Sequence, residues 1–192
     1  MSFSILILAM TLIFNSIDIH KTELNRPISE IVIVENFNHS DWNILLQKYV
    51  SEKGIVNYRA FKKEELKLKS YLNSLSNNYP SETWSNDKKM AYWINAYNAF
   101  TIQLIIENYP ISSIKDIKNP WGIKFINLGD KMFSLNDIEH EILRKMNDPR
   151  IHFGIVCASV SCPKLQNTAF EASNLDSKLD RATKEFLADP MQ

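Results

Sequence analysis

Both cysteines of the chain lie in one short stretch, residues 152–163, which also contains one of its four histidines. Cys157 and Cys162 are five positions apart, which is neither the C-x-x-C spacing of redox motifs nor the spacing of a zinc finger. A turn between them could bring their Cα atoms within the roughly 4.4–6.8 Å that a disulfide requires. Three interpretations are open: a disulfide, a reduced buried pair, and a reactive thiol.

A thiol nucleophile needs an imidazole within hydrogen-bonding reach, and His152 is the nearest histidine in sequence. On a regular strand over residues 151–158, His152 and Cys157 point to opposite faces, which argues against that pair. Cys162 lies beyond the strand and is free of this constraint. His140 is a second candidate for binding, because on its predicted helix it faces away from the apolar stripe, although a solvated histidine fits there equally.

Two asparagines lie three positions apart on the longest predicted helix, and Asn98 falls within its apolar stripe. A buried primary amide without partners costs about 1–3 kcal/mol, so each must find hydrogen bonds. Asn95 and Asn98 could tie the backbone of a neighbouring loop, as buried amides usually do. Alternatively, one of them orients an imidazole or polarises a substrate carbonyl, as in a Cys-His-Asn site. Trp93 and Tyr97 lie on the same helix. They are either aromatic residues of the core or a platform on which a ligand binds.

Arg150 follows an Asp-Pro pair, where it either ties down the turn or binds an anion. A zinc ion would have to be coordinated by His140, His152 and the two cysteines, which are chemically acceptable ligands. No paired ligand spacing supports such a site, since closed zinc sites normally show local pairs. We therefore predict neither a metal nor a cofactor.

Several long motifs resemble one family, domain-of-unknown-function family 547. They are YWINAYNAFTIQLI at 92–105, SLNDIEHEILR at 134–144 and DPRIHFGIVCASVSCPKL at 148–165, with HSDW at 39–42 and VNY at 56–58. The resemblance covers about residues 39–190. The resemblance gives no activity, because none is assigned to the family. It implies that the protein is exported, because bacterial members often are. Similar proteins usually continue for several tens of residues past FLADP, so we expect a C-terminal element of the domain to be missing.

The hydrophobic pattern predicts helices that position these motifs. One begins near Ser40, another covers 62–75 with Leu66 facing inward, the longest covers 87–110, and two more start near Ser134 and at about 175. Residues 125–135 predict a hairpin with Gly129 and Asp130 in its turn, and residues 55–61 and 151–158 are expected to be extended. The predicted class is α+β, a helix-dominated single domain with a small sheet.

Composition excludes several classes of function. A length of 192 residues fits roughly one domain. Lys plus Arg and Asp plus Glu number 22 each, so no net field attracts nucleic acid. The chain has four glycines, too few for a phosphate-binding loop or a dinucleotide fingerprint. We expect no nucleic acid and an unidentified protein or small molecule as the partner.

The N-terminus carries a twelve-residue apolar run at 3–14. It is too short to span a bilayer and matches the core of a signal peptide. We predict a signal peptide or N-terminal apolar segment at 1–18, a linker at 19–38 and the domain at 39–192. The expected location is the periplasm or cell envelope, with the cytoplasm as the alternative. We expect no stable membrane span beyond that N-terminal signal or anchor.

Two functions from different classes remain open. The first is an exported domain with an interaction or structural role, whose cysteines form a cystine or belong to the core. The second is a cysteine-dependent hydrolase or acyl transferase. In that case Cys162 or Cys157 is the nucleophile, His152 is the base, and Asn95 or Asn98 orients it.

Overall fold

The computed structural model describes residues 37–159 and 162–189. The predicted signal peptide and nearly all of the predicted linker lie outside these residues. The described chain contains α1 (Ser40–Tyr49), α2 (Tyr58–Lys62), α3 (Glu65–Asn77), α4 (Asn86–Glu107), β1 (Ile126–Leu128), β2 (Lys131–Phe133), α5 (Ile151–Gly154) and α6 (Leu175–Leu187). A 3₁₀ turn at Ile114–Asp116, a π-helical segment at Asp137–Ile142 and a 3₁₀ segment at Leu143–Met146 complete it.

Helix α4 is the centre of the fold. Its side chains are buried on every face over most of its length, because the sequence between Met90 and Ile106 is almost entirely apolar. The side chain of Ser85 caps its N-terminus by accepting a hydrogen bond from the backbone N–H of Lys88. Helices α2 and α3 and the π-helical segment pack against it. A helix that is apolar all round must be surrounded by other elements, which is the position that α4 occupies.

The first and third helices supply the aromatic part of the core. The ring of Trp42 in α1 stacks on that of Tyr71 in α3, with centroids 5.6 Å apart. Both side chains are almost completely buried. Leu68, Leu72 and Leu75 extend the same face of α3 at helical spacing.

The hairpin prediction is confirmed. Strands β1 and β2 pair antiparallel with Leu128 opposite Lys131, and Gly129 and Asp130 form the turn between them. A helix begins near Ser134, as predicted, and reciprocal hydrogen bonds mark its start: Ser134 donates its backbone N–H and its hydroxyl to the Asp137 carboxylate, and its hydroxyl oxygen accepts from the Asp137 N–H. The helix that follows is π-helical and then 3₁₀, which the sequence pattern did not indicate.

Three local predictions are wrong, and two of them concern the region before α4. Residues 58–62 are helical rather than extended, because the Asn57 side chain accepts from the Ala60 N–H and caps a helical turn. Leu66 faces solvent and is 81% exposed, since it lies about 200° around the helix from Leu68.

The predicted strand at 151–158 begins as helix α5. The Asp148 carboxylate accepts the backbone N–H of Arg150, and the carbonyls of Asp148 and Pro149 accept the N–H groups of Ile151 and His152, so the chain is already turning before α5 begins. The chain becomes extended only from Ile155. The argument from strand parity about His152 and Cys157 therefore does not apply to the structure.

The architecture is a helix-dominated α+β fold with a two-stranded antiparallel sheet, as predicted. None of the helices among the described residues combines the length and the apolar character that crossing a membrane requires.

One buried histidine joins three parts of the fold. Nδ1 of His39 lies 2.7 Å from the hydroxyl of Tyr71, and the His39 backbone N–H donates to the Glu171 carboxylate at 3.0 Å. Burial, reinforced by the positive charge of Lys88, lowers the pKa of His39 to about 3. The imidazole is therefore neutral in the folded protein at pH 7.

We expect acid to destabilise the fold through His39. The unfolded chain protonates this imidazole near pH 6.5 and the folded chain only near pH 3, so its contribution to stability is lost as the pH falls through that window. Between pH 7 and pH 5 the free energy of unfolding should fall by about 2 kcal/mol more in the wild type than in His39→Gln. Urea denaturation at both pH values measures the difference. Equal losses in the two proteins would contradict the account.

Candidate functional site

The chain that follows α5 is fastened to α4 by one buried amide. Nδ2 of Asn98 donates to the carbonyl oxygen of Gly154, and the backbone N–H of Val156 donates to its Oδ1, both at 2.9 Å. At Gly154 an added Cβ would lie 3.1 Å from a methyl group of Leu179, so a larger residue would require that side chain to shift by a few tenths of an ångström. Asn98 thus holds the backbone that leads into the cysteine-containing loop.

Asn95 forms the same kind of pair one helical turn earlier. Its Nδ2 donates to the carbonyl of Phe170 at 2.7 Å, and the Phe170 N–H donates to its Oδ1 at 3.1 Å. Asn43 in α1 accepts the neighbouring N–H of Ala169 at 2.9 Å. The segment before α6 is therefore held by amides from two helices.

Lys178 secures this segment from the other side. Its Nζ donates to the carbonyl and hydroxyl oxygens of Thr168 and to the carbonyl of Ala169, at 2.6–2.9 Å. It also lies 4.6 Å from the ring centroid of Phe170. Burial lowers the pKa of Lys178 to about 7, while the three oxygens satisfy every N–H of the protonated ammonium.

Cys157 and Cys162 form a disulfide with Cα atoms 6.1 Å apart. The described residues contain no free cysteine. Inside the ring, the backbone N–H of Cys162 donates to the carbonyl of Ser159 at 3.0 Å. Ala158 has a φ of +57°, a left-handed conformation that costs a residue with a Cβ roughly 1–2 kcal/mol. The ring holds a backbone shape that the sequence alone does not favour.

A cleft of about 300 Å³ opens beside this disulfide. Its walls come from three parts of the described chain: residues 54–58, one face of α4, and residues 156–159 with 162–165. Gly54, with a φ of +75°, brings its backbone against Lys164, where a side chain would clash. The lining residues are Gly54, Ile55, Val56, Tyr58, Asn98, Thr101, Ile102, Val156, Ala158, Ser159, Cys162, Pro163, Lys164 and Leu165.

The polar groups of the cleft are mostly uncharged. Burial raises the pKa of Tyr58 to about 12, so its hydroxyl remains protonated and able to donate a hydrogen bond. Its hydroxyl has no hydrogen-bond partner within the described part of the chain. The one charged lining residue, Lys164, is paired with Asp189 at 3.3 Å. The cleft therefore offers apolar walls with a few neutral hydrogen-bonding groups.

The two candidate histidines meet at a carboxylate instead of at the cysteines. Oε1 of Glu139 lies 3.9 Å from Nδ1 of His140, 4.0 Å from Nδ1 of His152 and 3.3 Å from Nη2 of Arg144. Tyr97 also hydrogen-bonds to Glu139, and burial together with this carboxylate raises the pKa of Tyr97 above its ordinary value. In the described residues, neither histidine forms a hydrogen bond to a sulfur atom.

The candidate binding residue Arg150 forms ion pairs within the protein. Arg150 binds Asp148 through two of its nitrogens, at 2.8 and 3.0 Å, and reaches Asp176 and Asp180 in α6 at 2.8 and 2.5 Å. It therefore ties the turn before α5 to α6.

Trp93 is a buried core aromatic. Its ring makes edge contacts with those of Tyr79 and Phe133, at centroid distances of 5.6 and 5.7 Å. Tyr97 is equally buried. Among the described residues, no group of three or more histidine, cysteine or acidic side chains is arranged to hold a metal.

These contacts define a disulfide-bonded helical domain with a small cleft beside the bond. A family model described as "Protein of unknown function, DUF547" matches residues 81–187, which is more than half of the chain. The chain therefore belongs to this family, as its motifs indicate. A search of the curated proteins found no match, and neither did a search of the solved structures.

Sequence reasoning missed several residues of this region. Asn43 and Lys178 are not among the candidate residues that the sequence indicates, although both bond to the backbone before α6. Glu139 is next to His140 in sequence but is not among the candidate residues that the motifs indicate. From the sequence, His39 could approach the cysteines from the N-terminal side of the first helix, but in the structure it bonds to Tyr71 and Glu171 instead.

We expect Asn98→Ala to destabilise the protein by about 2–4 kcal/mol, because it leaves the Gly154 carbonyl and the Val156 N–H without their partner. Urea denaturation monitored by tryptophan fluorescence gives the free energy. Asn78→Ala is the matched control, since Asn78 makes one hydrogen bond to its own helix, at Ser74. It should cost less than about 1 kcal/mol. Similar losses in both variants would contradict the role assigned to Asn98.

Proposed function

We propose that this protein is an exported, disulfide-bonded domain that binds a small, mostly apolar and uncharged molecule in the cleft, without catalysing a reaction on it. The observation that carries the proposal is the Cys157–Cys162 disulfide in the wall of the cleft. The disulfide is evidence about the cellular compartment of the protein, it determines which reactions the sulfur atoms can undergo, and it shapes the wall of the cleft.

The disulfide supports export. Structural cystines persist in oxidising compartments such as the periplasm and are rare in the cytosol, where thiols are kept reduced. The apolar run at 3–14 supports the same location, because it has the length of a signal-peptide core. Both observations support a location in the periplasm or the cell envelope.

The positions of the polar groups favour binding over thiol catalysis. A cysteine nucleophile has to be a thiolate, and a sulfur in a disulfide has none to offer. Asn95 and Asn98 use their carbonyl oxygen and one N–H each on backbone groups. His152 contacts Glu139. The hydrolase alternative therefore lacks an available nucleophile and an oriented base among the described residues.

The cleft itself indicates the chemistry of the ligand. Its volume of about 300 Å³ is at the lower end of the range for small-molecule sites. Most of its side chains are aliphatic, and Lys164 is neutralised by Asp189. Tyr58 and Ser159 are the groups left to fix orientation by hydrogen bonding. A compact, neutral molecule with an apolar body and one or two polar groups fits this arrangement.

The proposal is tested with a library of neutral fragments of about 10–20 heavy atoms, a size that suits a site of this volume. In two-dimensional amide NMR spectra, binding should shift the signals of residues 54–58 and 162–165. Val156→Trp should abolish these shifts by filling the cleft. Ile44→Trp, at an exposed position of α1 away from the cleft lining, should leave them unchanged.

Tyr58→Phe removes only the hydroxyl and should weaken binding about five-fold, the effect of one lost hydrogen bond. This variant keeps the test informative if the tryptophan disturbs folding. Absence of any fragment that shifts these signals would contradict the proposal. So would binding that persists unchanged in both Val156→Trp and Tyr58→Phe.

A further inference from the structure

We propose that the Cys157–Cys162 disulfide is a thiol–disulfide exchange site that accepts electrons from a dithiol, and that its reduction rearranges the wall of the cleft. The effect on a ligand rests on the proposed function. The exchange itself does not, because it requires only the disulfide and the loop that it closes.

The disulfide is placed where a dithiol can reach it. Both cysteines are partly exposed. Cys162 borders the cleft on one side and, on the other, a shallow depression formed with Phe153 and Phe186. Disulfides that are accessible in this way are more easily exchanged than those buried in a core.

The backbone on either side of the ring is anchored independently of the sulfurs. Before it, Val156 is held by the amide of Asn98. After it, Leu165 is buried in the core. Breaking the disulfide therefore frees the backbone at residues 157–159 and at Cys162 without releasing the elements that flank it. The rearrangement should remain local to one wall of the cleft.

The conformation of Ala158 favours reduction. Its left-handed backbone is unfavourable for a residue with a Cβ, and it lies inside the closed ring. Once the ring opens, Ala158 can return to an ordinary conformation. The closed form therefore carries a local strain that the open form does not, which shifts the exchange equilibrium towards the dithiol form of the protein.

The exchange is balanced in electrons and protons. A thiolate of the incoming dithiol attacks Sγ of Cys162, and the Cys157–Cys162 bond breaks with its electron pair on Sγ of Cys157, which takes up a proton. The second thiol of the reagent, as a thiolate, attacks the reagent's own sulfur in the mixed disulfide and releases Cys162. The reagent leaves as a cyclic disulfide, and the protein gains two electrons and two protons.

The test uses the folded protein in buffers of dithiothreitol and its oxidised form at fixed ratios. After acid quenching and alkylation, intact mass gives the fraction of protein with two labelled cysteines. We expect complete reduction without loss of the far-ultraviolet circular dichroism signal. In oxidised and reduced samples, amide signals of residues 54–58 and 162–165 should differ, whereas those of α1 and α3 should not.

Ala158→Gly tests the source of the strain. Glycine adopts the left-handed conformation readily, so the closed ring is stabilised and reduction should need a roughly three- to ten-fold higher ratio of reduced to oxidised reagent. Ala172→Gly is the matched control at an exposed turn outside the ring, and its ratio should equal that of the wild type.

Two results would overturn the inference. One is a disulfide that is reduced only when the protein unfolds. The other is an Ala158→Gly variant with the same equilibrium as the wild type. Both are measured without a ligand, so they are distinct from a failure of fragments to bind the oxidised cleft.

If fragments bind the oxidised protein and the exchange also occurs, their affinity should change by at least several-fold on reduction. An unchanged affinity would contradict control of the cleft by the disulfide.

Discussion

Two primary amides inside the buried surface of α4 have to find hydrogen-bond partners, and they find them in the backbone between α5 and α6. Asn98 exchanges two hydrogen bonds with Gly154 and Val156, and Asn95 exchanges two with Phe170. Leaving such groups unpaired in a dry interior is costly, so the amides fix where this otherwise irregular segment lies. The disulfide loop and the cleft depend on that placement.

The cleft follows from this constraint together with two local features. The segment leaves Asn98 as an extended chain, turns back within the Cys157–Cys162 ring and returns to the core at Leu165. Gly54 allows the chain after α1 to approach it closely. Rigid helices thus position a short loop with a constrained shape, an arrangement common in binding sites. The histidines lie apart from it, at Glu139, and give the sulfurs no catalytic partner among the described residues.

Much of the fold could be predicted from the sequence, because α1, α4 and α6 are long periodic segments and the hairpin carries a glycine turn. The short apolar run at 151–158 could not be resolved by pattern alone, since such runs fit a strand or a buried helical turn equally. The Asp148-Pro149 pair, which begins the turn that leads into α5, is the sequence signal that argues against a strand here. The two asparagines were recognised as amides in need of partners. Lys178 and Asn43 were not, because a hydrophobic pattern does not indicate which polar helix residues the chain at Thr168 and Ala169 will cover.

The central claim is that the two cysteines form a closed bond in the wall of a binding site. It is tested most directly on the protein purified without reductant, then denatured and treated with an alkylating reagent. The account predicts that intact mass shows no labelled cysteine in the untreated sample and two after reduction. Two labelled cysteines without reduction would contradict it, and would return the free thiols to consideration as nucleophiles.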